Sequence, residues 1–535
     1  MVSEQIKNQS LFRLSLFVWV IATLLRFWNV QAYAGLGFDD VAYATSGRDM
    51  LLEGRGYWAD ALRPLAAWFV AIFHKINGIS VVNVGIAFAT LRSLGELFLI
   101  LAARRFFPVM PWAPLWSAGL SCASFLGASY GKQHVASLLC TVPLSLWLYA
   151  RYLDTGRMRD WIVCAVASGL VFLSHYNTIA VLVFMLGLEM VRLLLARNPF
   201  KHIAVIGLSG CLTSFVAVMI LGKISYGYTS WGSYLVKVWH QIAFNQTRQD
   251  PHLSDGFLSA LISWEGAAFG LYFIALVWWL RRMWNAPVER KYLALVLVPI
   301  LGGAMIVVRM NTGFLGFPRL YVFALPFVWI LGAAFLSRVT ALLLDGKSLC
   351  LARGMAVFVV VLTLFVGASH QAMARRAECP NAALEAYFRS HRTERIVAWA
   401  GNPHLATFWF NEMWRPVLFT REEGEEEWKR FAANRISKRV PPELLQPDHA
   451  VYLQRRDLAK VCDLVVLQNC NLALLRQCDA SIRQNAPRAR VVDFFNGAAL
   501  SLPLMSEDGA LDVAADFNEN STLPIVRVYD LRGGQ

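Results

Sequence analysis

"GFDDVAYATSGRDMLLEG", residues 37–54, follows the first stretch of the chain long enough to cross a bilayer, and it carries Asp39, Asp40, Arg48 and Asp49. Such a density of charge stands out in a chain of 535 residues that is 57% hydrophobic and 16% charged. With a mean hydropathy of +0.46, the composition excludes an ordinary soluble enzyme and reads as a polytopic membrane protein.

Outward from this stretch, runs of mainly apolar residues recur, and about 18 such residues in a helix span roughly 30 Å of hydrocarbon. Eleven candidates lie near 12–33, 83–103, 109–128, 135–152, 161–175, 178–196, 203–222, 257–280, 291–308, 319–337 and 354–370. The net charge of +14 follows their alternation, since the basic residues gather in every second short loop: Arg104/Arg105, Arg151/Arg157/Arg159, Arg192/Arg197/Lys201, Arg281/Arg282/Arg290/Lys291 and Arg338/Lys347/Arg353. Cytoplasmic basic loops of this kind set orientation, so the charge excess calls for no nucleic acid. With the N-terminus inside, the loops at 34–82, 129–134, 223–256 and 309–318 face outward, as does everything after 370. Lys7, Arg13 and Ala32-Tyr33-Ala34 imitate a cleavable signal peptide, but the apolar run continues through Phe27 and Trp28 with Arg26 near its outer end, which favours a retained anchor.

The expected organisation is a membrane domain over 1–370 and an extracytoplasmic α/β domain over 371–535. In the first outward loop, 34–82, Asp39 or Asp40 caps a helix running to about Leu52, with Gly54 as its stop. "RPLAAWFVAIFHKI" (63–76) is too short to span and fits a juxtamembrane helix. After 371, "RIVAWAG" (395–401), "RPVLFT" (415–420), "CDLVVLQ" (462–468), "ARVVDFF" (489–495) and "PIVRVYDL" (524–531) read as strands. They alternate with the helix-like "EEEWKRFAANRISK" and "NLALLRQCDASIRQN". Of nine cysteines none forms a CxxC pair, and Cys379, Cys462, Cys470 and Cys478 lie where an oxidising compartment could join some of them.

Ionisable groups at a membrane's outer edge are costly without a partner or water, so a cluster there is a candidate site. Asp39 and Asp40 alone could simply cap a helix, but other cations and donors share their face: Arg48, Arg63 and Lys75 in the same loop, Lys132 and His134 in "SYGKQH", His175 and Tyr176 in "SHYNT", and Arg309 and Arg319 about "MNTGFLGFP". Glycosyl transfer from a polyprenyl-phosphate sugar needs this combination. A carboxylate takes the acceptor's proton, and cations hold a phosphate whose charge grows as its bond to the sugar breaks. Nucleotide sugars are absent outside the cell, which makes a lipid-borne donor the expected one. "GASYGK" (127–132) lacks the spacing and the following Ser or Thr of a phosphate-binding loop.

At this point "FDDVAYATSGRDMLLEG" resembles the first-loop motif of the integral-membrane C-type (GT-C) glycosyltransferases, in particular the bacterial relatives of protein O-mannosyltransferases and of the lipid A aminoarabinose transferase. The family's acidic pair, Tyr and Arg-acid-Met become Asp39, Asp40, Tyr43 and Arg48-Asp49-Met50; its Glu-Lys-Pro falls at Leu62-Arg63-Pro64, the arginine of the next helix at Arg92, and a late Arg, Tyr, Pro at Arg319, Tyr321 and Pro326. Asp40 replaces a glutamate and Leu62 an acid. The resemblance covers roughly 12–370. It implies a GT-C fold with about eleven spans, Asp39 as catalytic base supported by Asp40, and Arg63 as the cation near the donor phosphate; together with the outward-facing groups above, the expected substrate-binding set is Tyr43, Arg48, Arg63, Lys75, Lys132, His134, His175 and Arg319. It further implies a polyprenyl-phosphate sugar donor and a lipid, glycan or protein acceptor, in a bacterial inner membrane with the site facing outward. No cofactor is assigned, a divalent metal is compatible, and no metal ligands are assigned. The competing readings are a polyprenyl-linked glycan ligase or polymerase and a membrane transporter or flippase. A transporter should carry ionisable groups at mid-membrane across repeated halves, and no repeat is visible.

Overall fold

The computed structural model describes residues 2–28, 30, 38–54, 64–124, 133–175, 178–226, 231–232, 235–236, 264–310, 322–345, 349–375, 381–391, 396–400, 414–418, 422, 451–468, 472–495 and 526–532. Helices dominate as far as residue 390. They are α1 (Val2–Phe27), α2 (Phe38–Glu53), α3 (Pro64–Asn77), α4 (Val82–Phe106), α5 (Ala113–Cys122), α6 (Gln133–Thr155), α7 (Met158–Ser174), α8 (Ile179–Leu195), α9 (Phe200–Tyr226), α10 (Trp264–Asn285), α11 (Leu293–Met310), α12 (Leu325–Leu343), α13 (Leu349–Arg375) and α14 (Asn381–Ser390).

A helix lies on each of the eleven apolar segments, but among the described residues only six, in α1, α4, α6, α9, α12 and α13, are long and apolar enough to cross a membrane. Length and composition thus account for six of the eleven expected crossings. Burial separates these six into central and peripheral helices: the apolar windows of α6 and α12 are 83% and 78% buried, those of α9 and α13 each 28%. Leu208, Leu212 and Phe215 on α9, and Val357, Phe358, Val361 and Phe365 on α13, are exposed, as suits faces turned to lipid tails. Ion pairs tie charges at helix ends, with Arg105 of α4 on Asp154 of α6 at 3.2 Å and Arg282 of α10 on Glu289 in the turn that follows it at 2.8 Å.

Where α4 crosses α6, Gly95 lets the backbones approach closely: a Cβ there would stand 1.8 Å from the Leu139 carbonyl oxygen. One patch of charge lies inside the bundle. Arg26 of α1 pairs with Glu96 of α4, Arg92 reaches the same carboxylate at 3.1 Å, and Arg92 also donates to the Ser121 carbonyl of α5 at 2.7 Å while its guanidinium lies over Trp329 of α12. A charge in hydrocarbon persists only with such partners, and the triad ties α1, α4, α5 and α12 together. Arg92 stands in the third turn of α4, well inside its start.

Beyond α14 the chain builds a six-stranded sheet from β1 (Ile396–Ala400), β2 (Trp414–Leu418), β3 (Val451–Tyr452), β4 (Cys462–Gln468), β5 (Arg490–Phe494) and β6 (Val526–Asp530), with α15 (Leu472–Asn485) between β4 and β5. The strand order is β3-β2-β1-β4-β6-β5, parallel from β3 through β4 and antiparallel at β6 and β5. Period-two alternation divides its side chains. Ala398, Val465, Leu467 and Tyr529 pack on Leu475, Cys478 and Ile482 of α15. Val397, Trp399, Leu464, Val466 and Val528 pack on Leu384 and Phe388 of α14. Both faces of the parallel part are covered, the usual condition for such strands. Each of the five expected strands is present within a residue or two; β3 was not expected, and "EEEWKRFAANRISK" lies outside the described residues. Cys462 and Cys478 are buried thiols outside any disulfide; Cys379 and Cys470 lie outside the described residues.

The sheet does not stand apart from the helices. Its α14 face belongs to one continuous apolar cluster that also contains Tyr43 and Ala44 of α2, Ala66, Ala67 and Val70 of α3, and Val84, Phe88 and Leu91 of α4.

Candidate functional site

The site region is the hairpin of α2 and α3 laid across the ends of other helices. α2 runs over Phe38–Glu53, so it starts ahead of Asp39 and Asp40, which lie inside its first turn and not at its cap, and Gly54 ends it as expected at φ +71°, a conformation that costs glycine little. At 1.5 Å per residue the fourteen residues of α3 reach about 21 Å, too short to cross a bilayer. The two helices approach closely at Gly47, where a Cβ would stand 2.6 Å from Val70 Cγ1. The hairpin also packs on α4, α6 and α7. It thereby brings α2 to the helix that starts at Gln133-His134 and α3 to the helix that ends at Ser174-His175.

His74 fixes this arrangement. Its Nε2–H donates to the Ala44 carbonyl of α2 at 3.0 Å, which leaves Nδ1 bare to accept from the Asn83 amide of α4 at 3.0 Å. Asn83 in turn donates to the Gly78 carbonyl at 2.6 Å and accepts from Asn77 at 3.1 Å. One imidazole thus ties α2, α3 and α4, in its neutral form: burial, with the nearby Arg48 charge adding to it, lowers the His74 pKa to about 4 despite the Ala44 hydrogen bond.

The sequence-derived candidates fall into three groups. Tyr43 and Arg48 are buried in the hairpin, Tyr43 in the apolar cluster and Arg48 against Asp49, with Nη2 at 3.2 Å from Oδ1. His175 is buried at the break between α7 and α8, in extended backbone at φ −163°, and its carbonyl accepts from the Thr178 amide at 3.0 Å. Lys75 is exposed on α3, whose inward face is the helical stripe of Ala67, Val70 and His74. Asp39 and Asp40 occupy the first turn of α2, and His134 the first turn of α6, but their side chains lie outside the description, as do Arg63, Lys132 and Arg319 altogether. Among the described residues no three His, Cys, Asp or Glu side chains are grouped so as to hold a metal ion.

Sequence reading passed over His74, Asn83 and the Glu96 triad. His74 was legible in principle, since it continues the i, i+3, i+7 stripe that starts at Ala67.

Residues 62–220 match the profile of the dolichyl-phosphate-mannose-protein mannosyltransferase family. No curated protein sequence matches the chain. Among solved structures, ArnT from Cupriavidus metallidurans, crystallised bound to undecaprenyl phosphate and in the apo state, superposes with a TM-score of 0.55 in each case. The identity is 15%, over 89% of this chain and 95% of that one. The resemblance first seen in the 38–54 stretch therefore extends to the architecture: the protein has the GT-C fold of membrane glycosyltransferases.

Proposed function

We propose that the protein is an integral-membrane glycosyltransferase that moves a sugar from a polyprenyl-phosphate donor to a hydroxyl on the outer side of a bacterial inner membrane. The observation that carries this reading is the acidic first turn of α2, a helix that His74 ties to α3 and α4 and that packs on α6, in a fold whose solved relative was crystallised with undecaprenyl phosphate. Asp39 is the general base. It takes the acceptor's hydroxyl proton as that oxygen attacks the anomeric carbon, and the bond from that carbon to the phosphate oxygen breaks, the electron pair leaving with the polyprenyl phosphate. One displacement inverts the anomeric centre. Asp40 supports the helix start, where amides and dipole favour carboxylates. Arg63, Lys132 and Arg319 supply positive charge toward the departing phosphate. The acceptor is a lipid-linked glycan, another envelope glycan or a protein, and the donor sugar a hexose or pentose.

The test is transfer by the purified chain in proteoliposomes from a panel of labelled polyprenyl-phosphate sugars. Product formation that requires the acceptor supports a transferase. Movement of intact lipid-linked sugar between leaflets without transfer would overturn it in favour of a flippase.

A further inference from the structure

Between the turn joining α3 to α4 and the exposed side of α14 lies a groove of about 450 Å³ that none of the chemistry above uses, within the roughly 300–1,000 Å³ typical of ligand sites. Asn77, Ser80 and Asn83 line one wall and Glu385 and Arg389 the other, with Val82 and Ile86 between them. Its two walls come from parts of the chain 305 residues apart, clamped by Ser80 Oγ donating to Glu385 Oε2 at 2.7 Å and Arg389 donating to the Ile79 carbonyl at 2.8 Å as well as to Glu385.

We infer that this groove binds the sugar hydroxyls of a glycan acceptor. The chemistry of the walls decides the class. The charge of Arg389 is already answered by Glu385, and a carboxylate in the wall repels a phosphate or carboxylate ligand. Vicinal hydroxyls, each both donor and acceptor, match what remains. Glu385 and the Asn77 carbonyl oxygen accept; the second N–H of the Asn77 amide, whose first is given to Asn83, donates, as do the Arg389 Nε and Nη1, which make no hydrogen bond among the described residues. Val82 and Ile86 offer an apolar strip to the C–H face of a ring.

Placement gives the groove its role. The antiparallel register of the hairpin pairs Ala44 with His74 and Gly47 with Val70, and its continuation carries the first turn of α2, with Asp39, toward the Asn77–Ser80 turn. A glycan seated between the turn and α14 would present its next hydroxyl near the proposed base. This role rests on the function proposed above, whereas binding does not, so the two are tested separately.

The experiment is calorimetric titration of the full-length chain in detergent with three probes: neutral oligosaccharides released and delipidated from the host envelope, inorganic phosphate, and a Ser/Thr-rich peptide. Saturable oligosaccharide binding is expected, weakened at least tenfold in Glu385→Gln and in Asn77→Ala. Asn77 is exposed at the end of α3, so its variant keeps the fold. Absence of oligosaccharide binding, unchanged affinity in both variants, or preferential binding of phosphate or peptide would each overturn the assignment. Oligosaccharide binding without any sugar transfer would leave the groove standing and remove the function.

Discussion

Replacing His74 by leucine keeps the side chain's bulk and removes its hydrogen bonds, so the consequence can be worked from the latch alone. The Ala44 carbonyl loses a donor and the Asn83 amide loses the bare Nδ1, while Asn83 keeps its bond to Gly78. At about 1–1.5 kcal/mol per bond, the hairpin should open more easily by about 2–3 kcal/mol. Tenfold per 1.4 kcal/mol makes that a rise of roughly 30- to 150-fold in amide hydrogen exchange over 38–53, the appropriate readout for local opening.

The latch also fixes a pH dependence. With a pKa of about 4 in place against the ordinary 6.5 when released, His74 takes up a proton more readily in the opened state. The stabilisation is complete above pH 6.5 and is lost as pH falls toward 4, amounting to about 2 kcal/mol between pH 7 and pH 5. Exchange in the wild type, corrected for the intrinsic rate, should therefore accelerate roughly thirtyfold over that interval, and in His74→Leu it should not. Equal pH sensitivity of α2 in the two proteins would refute the reasoning.

Two predictions concern the membrane core. Gly95→Ala places a methyl 1.8 Å from a backbone oxygen that cannot rotate away, so α4 and α6 must part. The cost should lie at or above the usual overpacking range of about 1–3 kcal/mol, read as loss of monodisperse protein on heating. Glu96→Gln strips the shared carboxylate from Arg26 and Arg92 and should cost about 3–5 kcal/mol, whereas replacing all three by Met, Leu and Met should cost less. A triple variant less stable than Glu96→Gln would show that the triad does more than neutralise itself.

How much of this could be read in the sequence depends on how locally each feature is determined. The α2 helix ends where Gly54 ends it, α3 ends within a residue of its apolar stretch, and "CDLVVLQ" is β4 residue for residue, because periodicity and turn chemistry act over a few positions. The two-residue β3 has no such signal, its extent being set by its pairing with β2. Lys75 drew attention by its charge and His74 did not, although the helical stripe turns His74 inward. Contacts across long separations were beyond reach: Arg26 and Glu96 are 70 residues apart, and the Ser80–Glu385 clamp depends on a sheet domain folding back onto the first loop. The α2 motif, by contrast, pointed to the GT-C fold from seventeen residues.

The central claim is that Asp39 removes a proton from the acceptor during transfer from a lipid-linked sugar. Single-turnover transfer in proteoliposomes, comparing the wild type with Asp39→Asn at saturating donor, tests it most directly. With Asp39 as the base, the transfer rate should fall by about 10²- to 10⁴-fold with donor binding unchanged. An Asp39→Asn protein that transfers within about twofold of the wild-type rate would contradict it.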